Sequence, residues 1–148
     1  MEIKDGQLVL LMKYSEVFGK DPIRSHMDVL KKKGFVWFGK FGTKPSDKTL
    51  NSVLNNGIYN IILHYSKGKS YLCQVSEVSL NHPIENYPKY YDELDALKNK
   101  PFKIYFKLTK ITELNEKYLR EFSLASTGEP AGRSLRNSMA SIFILRKK

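Results

Sequence analysis

Cysteine is almost absent: Cys73 is the only one in 148 residues. A lone cysteine excludes an internal disulfide and any Cys-rich metal cluster, and Cys73 is expected to pack as a small apolar side chain. Histidine is nearly as scarce. His26, His64 and His82 fall on an expected helix, a strand and a loop, with neither HxH nor HxxxH spacing, so no metal site is expected. No stretch approaches the roughly 18 apolar residues that cross a bilayer, and no membrane partner is expected. The N-terminal Met-Glu-Ile-Lys-Asp-Gly has neither the charge nor the apolar run of a signal peptide, which makes a cytoplasmic protein the expectation. Catalytic signatures are missing too. There is no Gly-x-Ser-x-Gly elbow. Gly128 to Ser134 (GEPAGRS) resembles a phosphate loop only superficially: its glycines are too close, it lacks lysine, and Pro130 removes a backbone donor. A non-enzymatic protein without cofactor is the expectation.

Acidic residues are also in deficit, with 15 Asp and Glu against 25 Lys and Arg, a formal charge of +10. A surplus of that size favours phosphate backbones or anionic surfaces as partners and says nothing about fold. It is also unevenly spread. Residues 98 to 120 carry seven Lys or Arg against Glu113 and Glu116, and residues 133 to 148 carry Arg133, Arg136, Arg146, Lys147 and Lys148 with no acid. Residues 77 to 97 are the reverse, with Glu77, Glu85, Asp92, Glu93 and Asp95 against Lys89 alone. Polarised charge of this kind argues for a basic face rather than uniform solubilisation.

The chain has the length of one ordinary domain. Gln7 to Lys13 (QLVLLMK) reads as an opening strand behind Asp5-Gly6. Asp21-Pro22 predicts a helix start, followed by Ile23, Met27 and Leu30 at helical spacing and closed by Lys31-Lys32-Lys33-Gly34. Phe35 to Phe41 is an aromatic strand, and Ser46 caps a second helix that runs to Asn55-Asn56-Gly57. Ile58 to Tyr65 and Tyr71 to Val78 form the clearest β-hairpin. Residues 79 to 91 (SLNHPIENYPKYY) make a tyrosine-rich loop that is long for a simple connection, and Asp92 to Lys98 a helical turn. Phe102 to Thr112 alternates apolar residues with Lys103, Tyr105, Lys107 and Lys110, predicting a strand with a lysine-bearing outer face. Phe122 to Ala125 and Ser141 to Leu145 read as further strands, with a short helix from Gly132 to Asn137. Strands dominate without βαβ alternation, so the expected fold is α+β, a small mixed β-barrel or curled sheet with helices packed outside.

Within this pattern Gly34 to Gly42 (GFVWFGKFG) stands out, because Gly39 and Gly42 supply no packing surface and Lys40 brings a charge into an apolar strand. Two readings are open. Trp37 is either a core residue or one wall of a site in which aromatic faces, bare backbone and a cation receive a nucleotide base.

The order of elements resembles the YTH and EVE domains of the PUA-like superfamily. It runs through a strand ending in Lys13-Tyr14-Ser15, a helix, a strand bearing Val36-Trp37, a second helix, and the hairpin from Ile58 to Val75. The resemblance covers about the first half of the chain. It implies a PUA-like barrel in which Trp37 is one wall of an aromatic cage for a flipped or single-stranded modified base, with Lys13 and Ser15 as its polar neighbours. The second wall in YTH proteins comes from the loop after the hairpin, where this chain offers Tyr87, Tyr90 and Tyr91 but no tryptophan. Gln74 stands where YTH proteins usually carry glycine. Similar modules are the specificity domains of McrB-like GTP-dependent restriction enzymes, which implies a fused or associated NTPase or nuclease. The expected function is therefore a base-reading DNA- or RNA-binding module. Lys40, Lys103, Lys107, Lys110, Arg133 and Arg136 would hold the phosphate backbone without reading sequence. The rival expectation is a small-molecule or protein interaction domain with Trp37 in its core.

Overall fold

The apolar run Leu8–Tyr14 forms β1, and both faces of this strand are covered. Leu10 and Met12 point into one core cluster, Val9 and Leu11 into another. A strand buried on both sides reads as a continuous apolar run rather than an alternating one, and β1 lies between a parallel and an antiparallel neighbour. These are β4 (Ile58–Tyr65) and β8 (Ile142–Lys147). The computed structural model describes residues 3–66, 68–98, 102–131 and 142–148; Arg133, Arg136 and the helix expected over 132–137 lie outside them.

Between β1 and β4 the chain makes α1 (Ile23–Lys33), β2 (Val36–Phe41), α2 (Asp47–Val53) and the two-residue β3 (Leu54–Asn55). Asp21 starts α1 by accepting the Ile23 N–H on its carboxylate at 3.0 Å, and the Gly34 N–H closes the helix on the Leu30 carbonyl at 2.9 Å. Ser46 caps α2 as expected, its hydroxyl oxygen accepting the Thr49 N–H at 3.2 Å. The hairpin of β4 with β5 (Ser70–Ser79) follows, then α3 (Tyr90–Lys98), the long β6 (Phe102–Leu114), α4 (Glu116–Leu119) and β7 (Phe122–Leu124).

The fold is α+β, with eight strands in one sheet ordered β2-β6-β5-β4-β1-β8-β7 and β3 beside β4. The sheet does not close into the barrel expected from the sequence, since β2 and β7 end the hydrogen-bonded path. It is bent all the same. The β5–β6 register shifts between Gln74 and Val75 and again between Val75 and Glu77, and such irregularities bend and twist a ladder. The curl brings Tyr14 at the end of β1 into edge contact with Phe38 of β2, ring centroids 6.1 Å apart, although three strands separate β1 from β2 in the sheet. α1 and α2 cover the main cluster around Ile61, Cys73 and Phe106, while α3 packs on the opposite face of β2 and β6.

Candidate functional site

Side chains along β2 alternate between those two faces. Val36 and Phe38 enter the main core, whereas Trp37 is half-buried in the cluster beneath α3, with Tyr91, Leu94, Phe102 and Tyr105. Gly39 belongs to this second face, and its smallness has a packing cause: a Cβ there would lie 2.3 Å from Cδ1 of Phe102. The Phe102 ring fills that space and stacks on Tyr91 at 4.3 Å. The bare backbone that suggested a ligand is thus occupied by an aromatic ring from β6.

Tyr91 is fully buried and cannot stack on a base, which corrects its expected place as a cage wall. Its hydroxyl accepts the Gly39 N–H at 2.7 Å and meets Nε2 of His26, with the Trp37 carbonyl at 3.3 Å. His26 Nδ1 donates to the Pro22 carbonyl at 2.7 Å. A buried relay therefore joins β2, α3 and α1, and every member needs its partner because an unpaired buried polar group is destabilising. Tyr87 stacks on Tyr91 at 5.7 Å and donates to Asp92 at 3.0 Å. The loop also caps the free edge of β2, where the Trp37 N–H donates to the Asn86 carbonyl at 2.8 Å. Trp37 with Tyr87 and Tyr91 forms a packed cluster, not an open slot.

Four other expected residues do converge. Lys13, Ser15, Lys40 and Tyr90 line a cavity of about 610 Å³ between the end of β1, the end of β2 and α3, a size within the usual range for small-ligand sites. Tyr14, Phe38 and Leu94 complete its inner wall. Lys40, expected to hold the phosphate backbone, is only 6 % exposed and donates from Nζ to the Phe41 carbonyl at 2.6 Å. Burial lowers the pKa of both Lys40 and Lys13 from the ordinary lysine value. Lys13 also places its ammonium 5.4 Å from the centre of the Phe143 ring.

Phe18, on the rim of this cavity, was missed. It is 58 % exposed and adopts φ 51°, followed by Gly19 at 75°. Val17 and Lys20 exchange backbone hydrogen bonds of 2.9 and 3.1 Å around the pair. Two successive residues with positive φ make the tight turn that joins antiparallel segments, and it holds the ring outward. A Phe-Gly pair between Val17 and Lys20 was the available signal.

The lysine strip on β6 is present but interrupted. Pairing skips Thr109, so exposed Lys110 and buried Leu108 face opposite sides, as their partners Gln74 and Val75 do. That irregularity keeps Lys110 on the face of Lys107, whereas the β2–β6 pairing skips Lys103 as well, between Phe102 beneath α3 and Ile104 in the main core. Tyr105, expected on the same outer face, is buried beneath α3. Lys107 lies 4.2 Å from the centre of the Phe35 ring and stands opposite Glu77 in the β5–β6 register. Lys147 is engaged as well, bridging Asp5 at 3.3 Å and Glu121 at 3.1 Å.

No family model matches the chain, and no curated protein or solved structure matches it. No helix among the described residues is long and apolar enough to cross a membrane.

Proposed function

We propose that the chain is a non-catalytic PUA-like module of the EVE/YTH type that binds DNA or RNA and accepts one base, flipped or single-stranded and modified, in the cavity between β1, β2 and α3. The observation that carries this reading is the convergence of Lys13, Ser15, Lys40 and Tyr90 on one aromatic-lined cavity of about 610 Å³ in a chain of net charge +10. Phe18 at the rim takes the stacking role that the sequence suggested for Trp37. Stacking contributes roughly 1–3 kcal/mol per base, similar in size to the few kcal/mol lost on unstacking. A modification that eases extrusion or fills the cavity therefore decides binding. Lys103, Lys107 and Lys110 supply sequence-independent attraction to phosphate. An associated NTPase or nuclease, as in a modification-dependent restriction system, would supply the chemistry.

A second reading is favoured by the packing of Trp37 under α3: the cavity binds a neutral small molecule or a peptide, and the lysines only solubilise. Salt separates the two. Binding to single- and double-stranded DNA and RNA, with and without methylated bases, should weaken steeply and linearly in log salt if phosphates are engaged. Absence of binding to every polymer at low salt would refute the nucleic-acid reading.

A further inference from the structure

The acidic stretch of this basic chain folds onto a histidine. His82 from the loop after β5 meets Asp92 and Asp95, successive residues of one face of α3, and one ligand atom from each lies within 4.8 Å of the others. Sequence spacing does not reveal this cluster, because the histidine approaches the helix from a loop. We infer that His82, Asp92 and Asp95 bind one divalent transition-metal ion, with Zn2+ the best match to the donor set.

Three features shape this cluster for a cation. First, the imidazole is oriented from behind: Nδ1 lies 2.7 Å from the Pro83 carbonyl, which can only accept, so Nδ1 carries a hydrogen and Nε2 is the ring atom turned toward the carboxylates. Metal-bound histidines are held in this way. Second, Nε2 points at Oδ2 of Asp95, 2.7 Å away. These two ligand atoms already face each other, and a divalent cation can come between them. Third, the other carboxylate oxygen of Asp95 has no hydrogen-bond partner and almost no contact with solvent. Such an orphaned acceptor calls for a ligand. Asp92 is itself fixed by the Tyr87 hydroxyl at 3.0 Å, and the Tyr87 and Tyr105 rings flank the imidazole at 4.9 and 5.5 Å.

A tetrahedral Zn2+ at about 2.0–2.1 Å from its ligands separates them by roughly 3.3 Å, which small rotations of the two aspartates reach. Two carboxylates balance the charge of the ion, and water completes the shell. An imidazole donor disfavours Mg2+, which prefers oxygen. The ion would fasten the loop carrying His82 and Tyr87 to α3.

The test titrates Zn2+, then Mg2+, into chelator-treated protein by calorimetry and follows thermal melting. The expected result is one Zn2+ per chain, a higher melting temperature, and no response to Mg2+. H82Q and D92N, both at exposed positions, should each weaken Zn2+ binding at least tenfold while keeping the circular dichroism of the parent protein. No Zn2+ uptake, or uptake unchanged in both variants and hence due to other donors such as His64, would overturn the assignment. This outcome is independent of nucleic-acid binding.

Discussion

Acid should loosen the contact between α1, β2 and α3 through His26. Its imidazole is fully buried, donates from Nδ1 to Pro22 and presents Nε2 to Tyr91. Burial pushes its pKa down from 6.5 to about 4, the Pro22 hydrogen bond opposing that only in part. Between those values the unfolded chain takes up a proton that the folded chain refuses. The contribution is complete above the unfolded value and disappears as pH falls toward the folded one. The whole span corresponds to roughly 3 kcal/mol, of which about 2 kcal/mol is gone near pH 5. That is a large share of a domain stability of ~5–15 kcal/mol. Urea unfolding should be measured at several pH values on the parent chain and on His26→Gln, which keeps a polar partner for the Tyr91 hydroxyl but does not titrate. Carboxylates and His64 affect both proteins alike, so the difference between the two pH profiles isolates His26. It should grow by about 2 kcal/mol from neutral pH to about pH 5. Parallel profiles would refute the burial argument.

Two further outcomes follow from the site. Gly39→Ala should destabilise the fold by about 1–3 kcal/mol through overpacking against Phe102, read as a lower urea midpoint, whereas an unchanged midpoint would mean that the ring moves freely. Phe18→Ala and Trp37→Ala should separate function from packing. Phe18 is exposed, so its loss should weaken base-selective binding with little change in melting, while loss of half-buried Trp37 should lower stability by about 2–3 kcal/mol. The opposite pattern, a stable Trp37→Ala that no longer selects bases, would restore the tryptophan cage.

The elements legible in the sequence are those with local causes. Asp21-Pro22 and Gly34 mark α1, Ser46 caps α2, and the β4–β5 hairpin is marked by two apolar runs on either side of Ser66-Lys67-Gly68-Lys69-Ser70. The openness of the sheet was not legible, because it depends on how far β5 and β6 bend and on where β8 docks. The site was legible by residue type but not by face. Trp37 and Lys40 are neighbours in sequence, yet β2 sends one beneath α3 and the other to the cavity, and nothing local says which face α3 will cover. Tyr87, Tyr90 and Tyr91 looked equivalent in the loop. Only the Gly39 N–H and His26, both distant in sequence, make Tyr91 a buried anchor. α4 and β3 were not anticipated; each is shorter than the patterns that betray an element.

The position of β1 has a consequence for how the chain assembles. One edge of β1 is taken by β4, but the other waits for β8, which pairs Leu8 with Arg146 and Met12 with Ile142. Among the described strands, β1 is made first and β8 last during synthesis. Contacts between distant segments pay their loop-closure entropy before they are rewarded, and they make folding slow. Until β8 arrives, an apolar strand with unpaired backbone stays open to other chains, a state prone to aggregation. Completion of this sheet therefore cannot precede release of residues 142 to 147 from the ribosome.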